Sequence, residues 1–128
     1  MNNTLRAMAL SLSLTLAGPL VMAQNASGLR DRTPQERAKL QTEMMKSKLG
    51  LDSVQVKQVE AVNLKYALKN EPVMKSSDGR LSKFRQLKSF QNQKEAELKK
   101  IFTPAQFKQY EALQDEMKSQ LKERRKNQ

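Results

Sequence analysis

The residues best placed to do chemistry in this sequence are cations set among apolar side chains. Arg80, Lys83, Arg85 and Lys88 share one short stretch with Phe84 and Leu87, and Phe90 follows directly. Such a stretch attracts acidic groups from a distance and offers apolar contact on arrival, which is what a weak, broad binding surface needs. Phe90 sits at the edge of the helical stripe that Leu87 shares with Leu98, so it is the ring best placed to leave the core, with ordinary packing or a dimer contact as the alternative. Covalent chemistry has less to work with. The chain has no His and no Cys, so the usual proton shuttle and thiol nucleophile are missing, and it spells no Gly-rich phosphate loop or nucleophile elbow. Glu95 with Glu97 and Asp115 with Glu116 are too close in sequence to share one helix face and read as solvated carboxylates. Zinc or nickel would need imidazole or thiolate ligands. Met44, Met45, Met74 and Met117 offer thioethers suited to Cu(I), although methionine more commonly fills cores or makes adaptable contacts. The expectation is a protein that is not an enzyme and holds no metal and no cofactor.

The cations are unevenly spread. Across the chain, 24 basic residues stand against 13 acidic ones, a net charge of +11. Residues 73–94 carry six basic side chains against Asp78 alone, and residues 118–126 carry five against Glu123. Residues 95–117, between them, are acidic on balance. Fields of this kind concentrate acidic partners and weaken with salt.

The N-terminus supplies a compartment. Arg6 precedes an apolar run from Ala7 to Ala17, a Gly18-Pro19 break, and Val21-Met22-Ala23 with small residues at the positions a signal peptidase reads. That is the layout of a secretory leader, and the run is too short to span a bilayer. Residues 1–23 are therefore expected to be a signal peptide cleaved after Ala23, with an uncleaved anchor as the alternative. Export to the periplasm removes nucleic acid as the default partner of a basic protein. It leaves unfolded or acidic envelope proteins, a receptor domain, or anionic lipid or polysaccharide, without stable membrane insertion.

From Gln24 onward, Leu, Ile, Val and Phe number 21 in 105 residues, close to the border of about 20% below which charged chains tend towards disorder. With no cysteine to staple it, the fold should be thin and completed by a second copy or a partner. Pro34, Gly50, Pro72, Gly79 and Pro104 fall between stretches of helical spacing, so four helices and no strands are expected. The first spans about Pro34 to Lys48, with the pairs Leu40/Met44 and Met45/Leu49. The second spans Ser53 to Lys69, burying Val56, Val59, Val62 and Tyr66, before a loop over Asn70–Gly79. The third spans Arg80 to Ile101, with Leu81, Phe84, Leu87, Leu98 and Ile101 on one side and no large apolar residue over Gln91–Glu97. The fourth spans Pro104 to Arg124, carrying Phe107, Tyr110, Leu113, Met117 and Leu121, and meets the third at a sharp corner. The expected division is a flexible segment 24–32, a helical domain 33–125 and a basic tail 126–128.

One pattern stands apart. Residues 50–63 read GLDSVQVKQVEAVN and residues 101–114 read IFTPAQFKQYEALQ. Gln55, Lys57, Gln58, Glu60 and Ala61 recur as Gln106, Lys108, Gln109, Glu111 and Ala112, while the apolar positions keep class and change size. Both windows spell a helix start. Asp52 and Thr103 are N-caps, Gln55 and Gln106 reach back from the third helical position, and Leu51 and Phe102 can staple onto Val56 and Phe107. Thr33 and Glu36 form a third capping box without a staple.

Leu51-Asp52-Ser53-Val54-Gln55 and Phe102-Thr103-Pro104-Ala105-Gln106 resemble the two copies of the motif that defines the LTxxQ family of bacterial periplasmic proteins, which includes the Spy and CpxP envelope-stress proteins. The likeness extends to a basic start, a Met-Met helix before the first copy, Val62-Asn63-Leu64-Lys65-Tyr66-Ala67 after it, and an Arg/Lys-rich helix before the second. Asp52 replaces the family Thr and Phe102 the family Leu, and both keep cap and staple. The resemblance implies an all-α subunit, a thin and extended helical hairpin, that pairs into a curved antiparallel homodimer. It also implies ATP-independent chaperoning through a basic face, or inhibition of a sensor kinase through its periplasmic domain. Arg80, Lys83, Phe84, Arg85, Leu87, Lys88 and Phe90 are the expected client-binding residues.

Overall fold

The computed structural model describes residues 31–127. It consists of four helices, α1 (Pro34–Leu49), α2 (Ser53–Lys75), α3 (Arg80–Ile101) and α4 (Pro104–Lys126), and all regular structure among the described residues is helical. The expected leader over 1–23 and most of the 24–32 segment lie outside the described residues. None of the described helices is long and apolar enough to cross a membrane.

Local chemistry explains the boundaries. Glu36 N–H donates to Thr33 Oγ1 at 3.2 Å and Thr33 N–H donates to Glu36 Oε2 at 2.8 Å, a reciprocal cap at the start of α1. At the other end Gly50 takes φ 63°, a left-handed conformation that costs glycine little. The Lys46 carbonyl there accepts from both Gly50 and Leu51 N–H groups, and the turn delivers Leu51 into the core. The face α1 buries is Ala38, Thr42, Met45 and Leu49. Met45/Leu49 is thus a core pair, whereas Leu40 is exposed and Met44 half-buried.

Helix α2 is longer than its sequence indicates. The expected loop from Asn70 shrinks to Ser76–Gly79, because α2 continues through Pro72 to Lys75. Proline inside a helix removes one backbone bond and costs about 3 kcal/mol. Tertiary contacts offset that cost. Val73 is buried, and Glu71 binds Arg37 of α1 on one side and Lys75 Nζ at 2.8 Å on the other, while Pro72 faces solvent. The middle of α3, where the sequence offers no large apolar residue, is held by a buried lysine. Lys94 Nζ donates to Gln41 Oε1 of α1 at 2.8 Å.

Helix α2 packs along both α1 and α3, tied to α1 by Asn63 Nδ2 donating to Thr42 Oγ1 at 2.9 Å. The core is Met45, Leu49, Leu51, Val59, Leu98, Phe102 and Tyr110, with Val56, Val62, Ile101 and Phe107 packed against it. It therefore gathers around the Phe102–Thr103 corner. Away from that corner α4 has no neighbour over it, and every residue from Asp115 to Asn127 is exposed.

Candidate functional site

The repeated windows meet. Gln55 and Gln106 lie 51 positions apart in sequence, yet Gln55 Nε2 donates to Gln106 Oε1 at 2.7 Å and Gln106 Nε2 donates to Gln55 Oε1 at 3.2 Å. Each oxygen also accepts from its own N-cap backbone, Asp52 N–H at 3.1 Å and Thr103 N–H at 3.0 Å. Each amide nitrogen reaches the chain entering the opposite helix, Gln55 to Ile101 O at 3.1 Å and Gln106 to Gly50 O at 3.5 Å. One side chain thus caps its own helix with its oxygen and clasps the other helix with its nitrogen. An amide offers both groups, whereas an ionised carboxylate of the same reach only accepts. Glutamate would cap equally well, as Glu36 does at the isolated start of α1, but two carboxylates here would repel and neither could donate. Under this clasp Leu51 and Phe102 are buried, the Tyr110 ring centroid lies 5.7 Å from that of Phe102 and 6.0 Å from that of Phe107, and Gln91 Nε2 donates to Tyr110 Oη at 3.2 Å. All six motif residues, Leu51, Asp52, Gln55, Phe102, Thr103 and Gln106, come together in one joint that fixes the chain but presents no reactive group.

The opposite ends of α3 and α4 differ. Between the two helices and the end of α2 runs an open groove of about 980 Å³, lined by Met74 of α2, by Phe84 and Leu87, and by Lys88, Glu95, Glu111, Asp115 and Lys118. Leu81 and Phe84 are 61% and 60% exposed, Leu121 is 56% exposed, and Met117 and Met74 are also exposed. The sequence places Leu81 and Phe84 on the same side of α3 as Leu98, and Met117 and Leu121 on the same side of α4 as Tyr110, and in the structure that side is buried near the corner and exposed away from it. The helical spacing is right, but among the described residues no element covers these side chains, and the end of α2 meets only another side of α3, where Lys83 donates to Met74 O. Phe90, at the edge of the stripe, is half-buried, with Lys69 Nζ 5.4 Å from its ring centroid and 5.3 Å from that of Tyr66. The exposed ring is Phe84, over which Lys88 Nζ sits at 6.0 Å.

Of the expected client-binding residues, Arg80, Phe84, Arg85 and Lys88 are exposed together, Lys83 is half-buried and donates to Met74 O at 3.2 Å, and Leu87 is half-buried in the groove. Residues 80–88 hold four basic side chains and no acid, and 118–126 hold five against Glu123, so each segment sums to +4. The α4 contribution to the groove, Glu111, Gln114, Asp115 and Lys118, was not anticipated from sequence. The stripe of half-buried Leu113 and exposed Met117 and Leu121 amid lysines is the signal that marks it. The methionines occupy different surroundings: Met45 is core, Met74 lines the groove and Met117 lies on the bare half of α4.

Among the groups whose titration the fold shifts, three link α3 to its neighbours. Burial lowers the Lys94 ammonium to about 8. Burial first, then donation to the Glu97 carboxylate at 2.7 Å, pushes the Tyr66 hydroxyl up to about 12. The Glu97 carboxyl is held below its ordinary value by Lys65, whose Nζ lies at 2.6 Å, and then by Tyr66. These groups tie α2 to α3 and α3 to α1 and lie outside the groove.

A family model described as a domain of unknown function, DUF4890, matches residues 23–110, a span that includes the clasp, all of α3 and the start of α4. Neither the curated proteins nor the solved structures give a match.

Proposed function

The chain belongs to the DUF4890 family, and from that premise we propose that it is a binding protein of the bacterial envelope, an ATP-independent chaperone or stress adaptor of the Spy/CpxP kind. It works in the periplasm after loss of residues 1–23 and engages unfolded or acidic proteins through the far half of α3. The observation that carries this reading is the exposure of Leu81 and Phe84 among Arg80, Arg85 and Lys88. An apolar group left in water on a short chain with little apolar residue to spare is explained by a transient partner that covers it. The lysines and arginines add long-range attraction and keep contact weak and salt-sensitive. The resemblance to the LTxxQ motif supports the same reading, since the two motif glutamines serve architecture and leave binding to another surface. Pairing into an antiparallel homodimer belongs to the proposal too, as a way to set two such surfaces side by side.

The test is light scattering of two unrelated aggregating proteins with and without this chain, in the absence of ATP, at low and high salt. Suppression of both, weaker in high salt, is the expected result. No suppression of either would remove the general chaperone and direct the search to one dedicated receptor, such as the periplasmic domain of a sensor kinase.

A further inference from the structure

We propose that the groove between α3 and α4 receives an amphipathic helix from a partner protein, acidic in its C-terminal half and seated with its N-terminus toward the Phe102–Thr103 corner. The proposal rests on the client-binding reading of α3 and narrows it to one site and one class of ligand.

Size is the first consideration. A helix about 10–12 Å across and 5.4 Å per turn fills roughly 400–600 Å³ per turn, so the groove of about 980 Å³ takes about two turns. Its floor is adaptable and apolar, through Met74, Phe84 and Leu87, and nothing in the described chain covers it. A groove between helices with such an apolar lining is completed by a further helix, whose apolar stripe supplies the missing layer.

Charge then fixes the direction. Near the corner the walls carry Glu95, Glu111 and Asp115. Farther out the lining carries Lys88 and also Lys118, whose Nζ lies 3.9 Å from Asp115 Oδ1, and Arg80, Arg85, Lys122, Arg124 and Arg125 follow along the sequence of the same two helices. The groove is thus negative at its inner end and positive at its mouth. A helix has the matching polarity, positive at its N-terminus and negative at its C-terminus. Acidic side chains near its C-terminus would meet the cations of both walls and relieve the repulsion between two segments that each sum to +4. A second copy of this chain fits poorly, because its exposed α4 segment would bring another +4 into the mouth. A bilayer is flat, and its anionic surface would be repelled by the inner carboxylates.

The probes are two helical peptides of about 15 residues with the same leucine stripe and composition. One carries its glutamates in the C-terminal half and the other in the N-terminal half. Fluorescence anisotropy against the purified protein should show the first binding about tenfold more tightly, and Phe84→Asp, at an exposed position, should weaken it by about tenfold. Because the chain has no cysteine, Asn92→Cys in the groove should form a disulfide with a cysteine-bearing probe, while Lys57→Cys on α2 should not. Equal affinity for both peptides, indifference to Phe84→Asp, or equal cross-linking at both positions would overturn the proposal. A self-associated protein whose groove excludes both peptides would do the same and assign the groove to a second copy. Light scattering on the same samples separates the two readings. Suppression of aggregation without peptide binding removes the groove site and leaves the broader surface, whereas peptide binding without suppression keeps the site and removes the general chaperone.

Discussion

The two ends of the α3–α4 pair are built from similar side chains and treat them in opposite ways. At the corner, Leu98, Phe102 and Tyr110 are buried under two interlocked helix caps. At the far end, Leu81, Phe84 and Leu121 stand in water among cations. The same helices supply both, so helical spacing alone does not distinguish them. What distinguishes them is whether another element crosses. Leu51 and the start of α2 lie against the corner, whereas at the far halves the end of α2 reaches one side of α3 through Met74 and no described element covers Leu81, Phe84 or Leu121. The corner is architecture and the far end is available for contact.

The largest expected effect breaks the corner. Leu98→Ala removes a fully buried side chain from the centre of the cluster and should destabilise by about 2–5 kcal/mol, read as a sharp fall in melting temperature by circular dichroism. An undiminished melting temperature would mean the cluster is not where stability resides. Next, Gln55→Glu combined with Gln106→Glu keeps both caps and removes both clasping donors. The pair should lose about 2 kcal/mol at neutral pH and recover part of it in acid as the carboxylates protonate. A pH-independent loss would remove the like-charge explanation.

Lys94 sharpens the comparison from the other side, since it is a charge kept within the packed region. With its folded pKa lowered to about 8, the unfolded chain binds more protons than the folded one between that value and the ordinary 10.5. Its contribution therefore makes stability rise as pH increases through this window. Above pH 10 Tyr66, raised to about 12, acts in the opposite sense, because the folded chain then retains the proton. Lys94→Met should flatten the rise and raise the neutral-pH melting temperature by about 5 °C. A rise that persists in this variant would place its origin elsewhere. The smallest effect on stability belongs to the far end. Phe84→Asp should change it by less than about 0.5 kcal/mol in thermal melts, and a larger loss would show that the ring is packed after all.

Much of the frame was legible in the sequence, and the misses have physical causes. Caps and breakers marked all four helix starts, because Thr33, Asp52 and Thr103 accept from the first turn and Gly79 precedes α3. The end of α2 was not legible, because Pro72 is tolerated through Glu71 binding Arg37 and through the burial of Val73, both contacts with distant residues. The repeat was visible, but its meaning was not. A capping glutamine looks the same whether its nitrogen faces water or another glutamine. At Leu81, Phe84, Met117 and Leu121 periodicity names the apolar face and is silent about what covers it. The cations around Phe84 were the useful signal, and they pointed to the surface that the structure leaves bare.

The most direct test pairs one substitution from each end. Gln106→Ala and Phe84→Asp are compared for melting temperature and for suppression of aggregation of the same two unrelated proteins at a temperature where both variants are folded. The expected outcome is a crossover, with Gln106→Ala lowering the melting temperature and leaving suppression intact, and Phe84→Asp leaving the melting temperature and reducing suppression. If Gln106→Ala abolishes suppression while the melting temperature stays unchanged, the paired glutamines are a binding site and the division between the two ends is wrong.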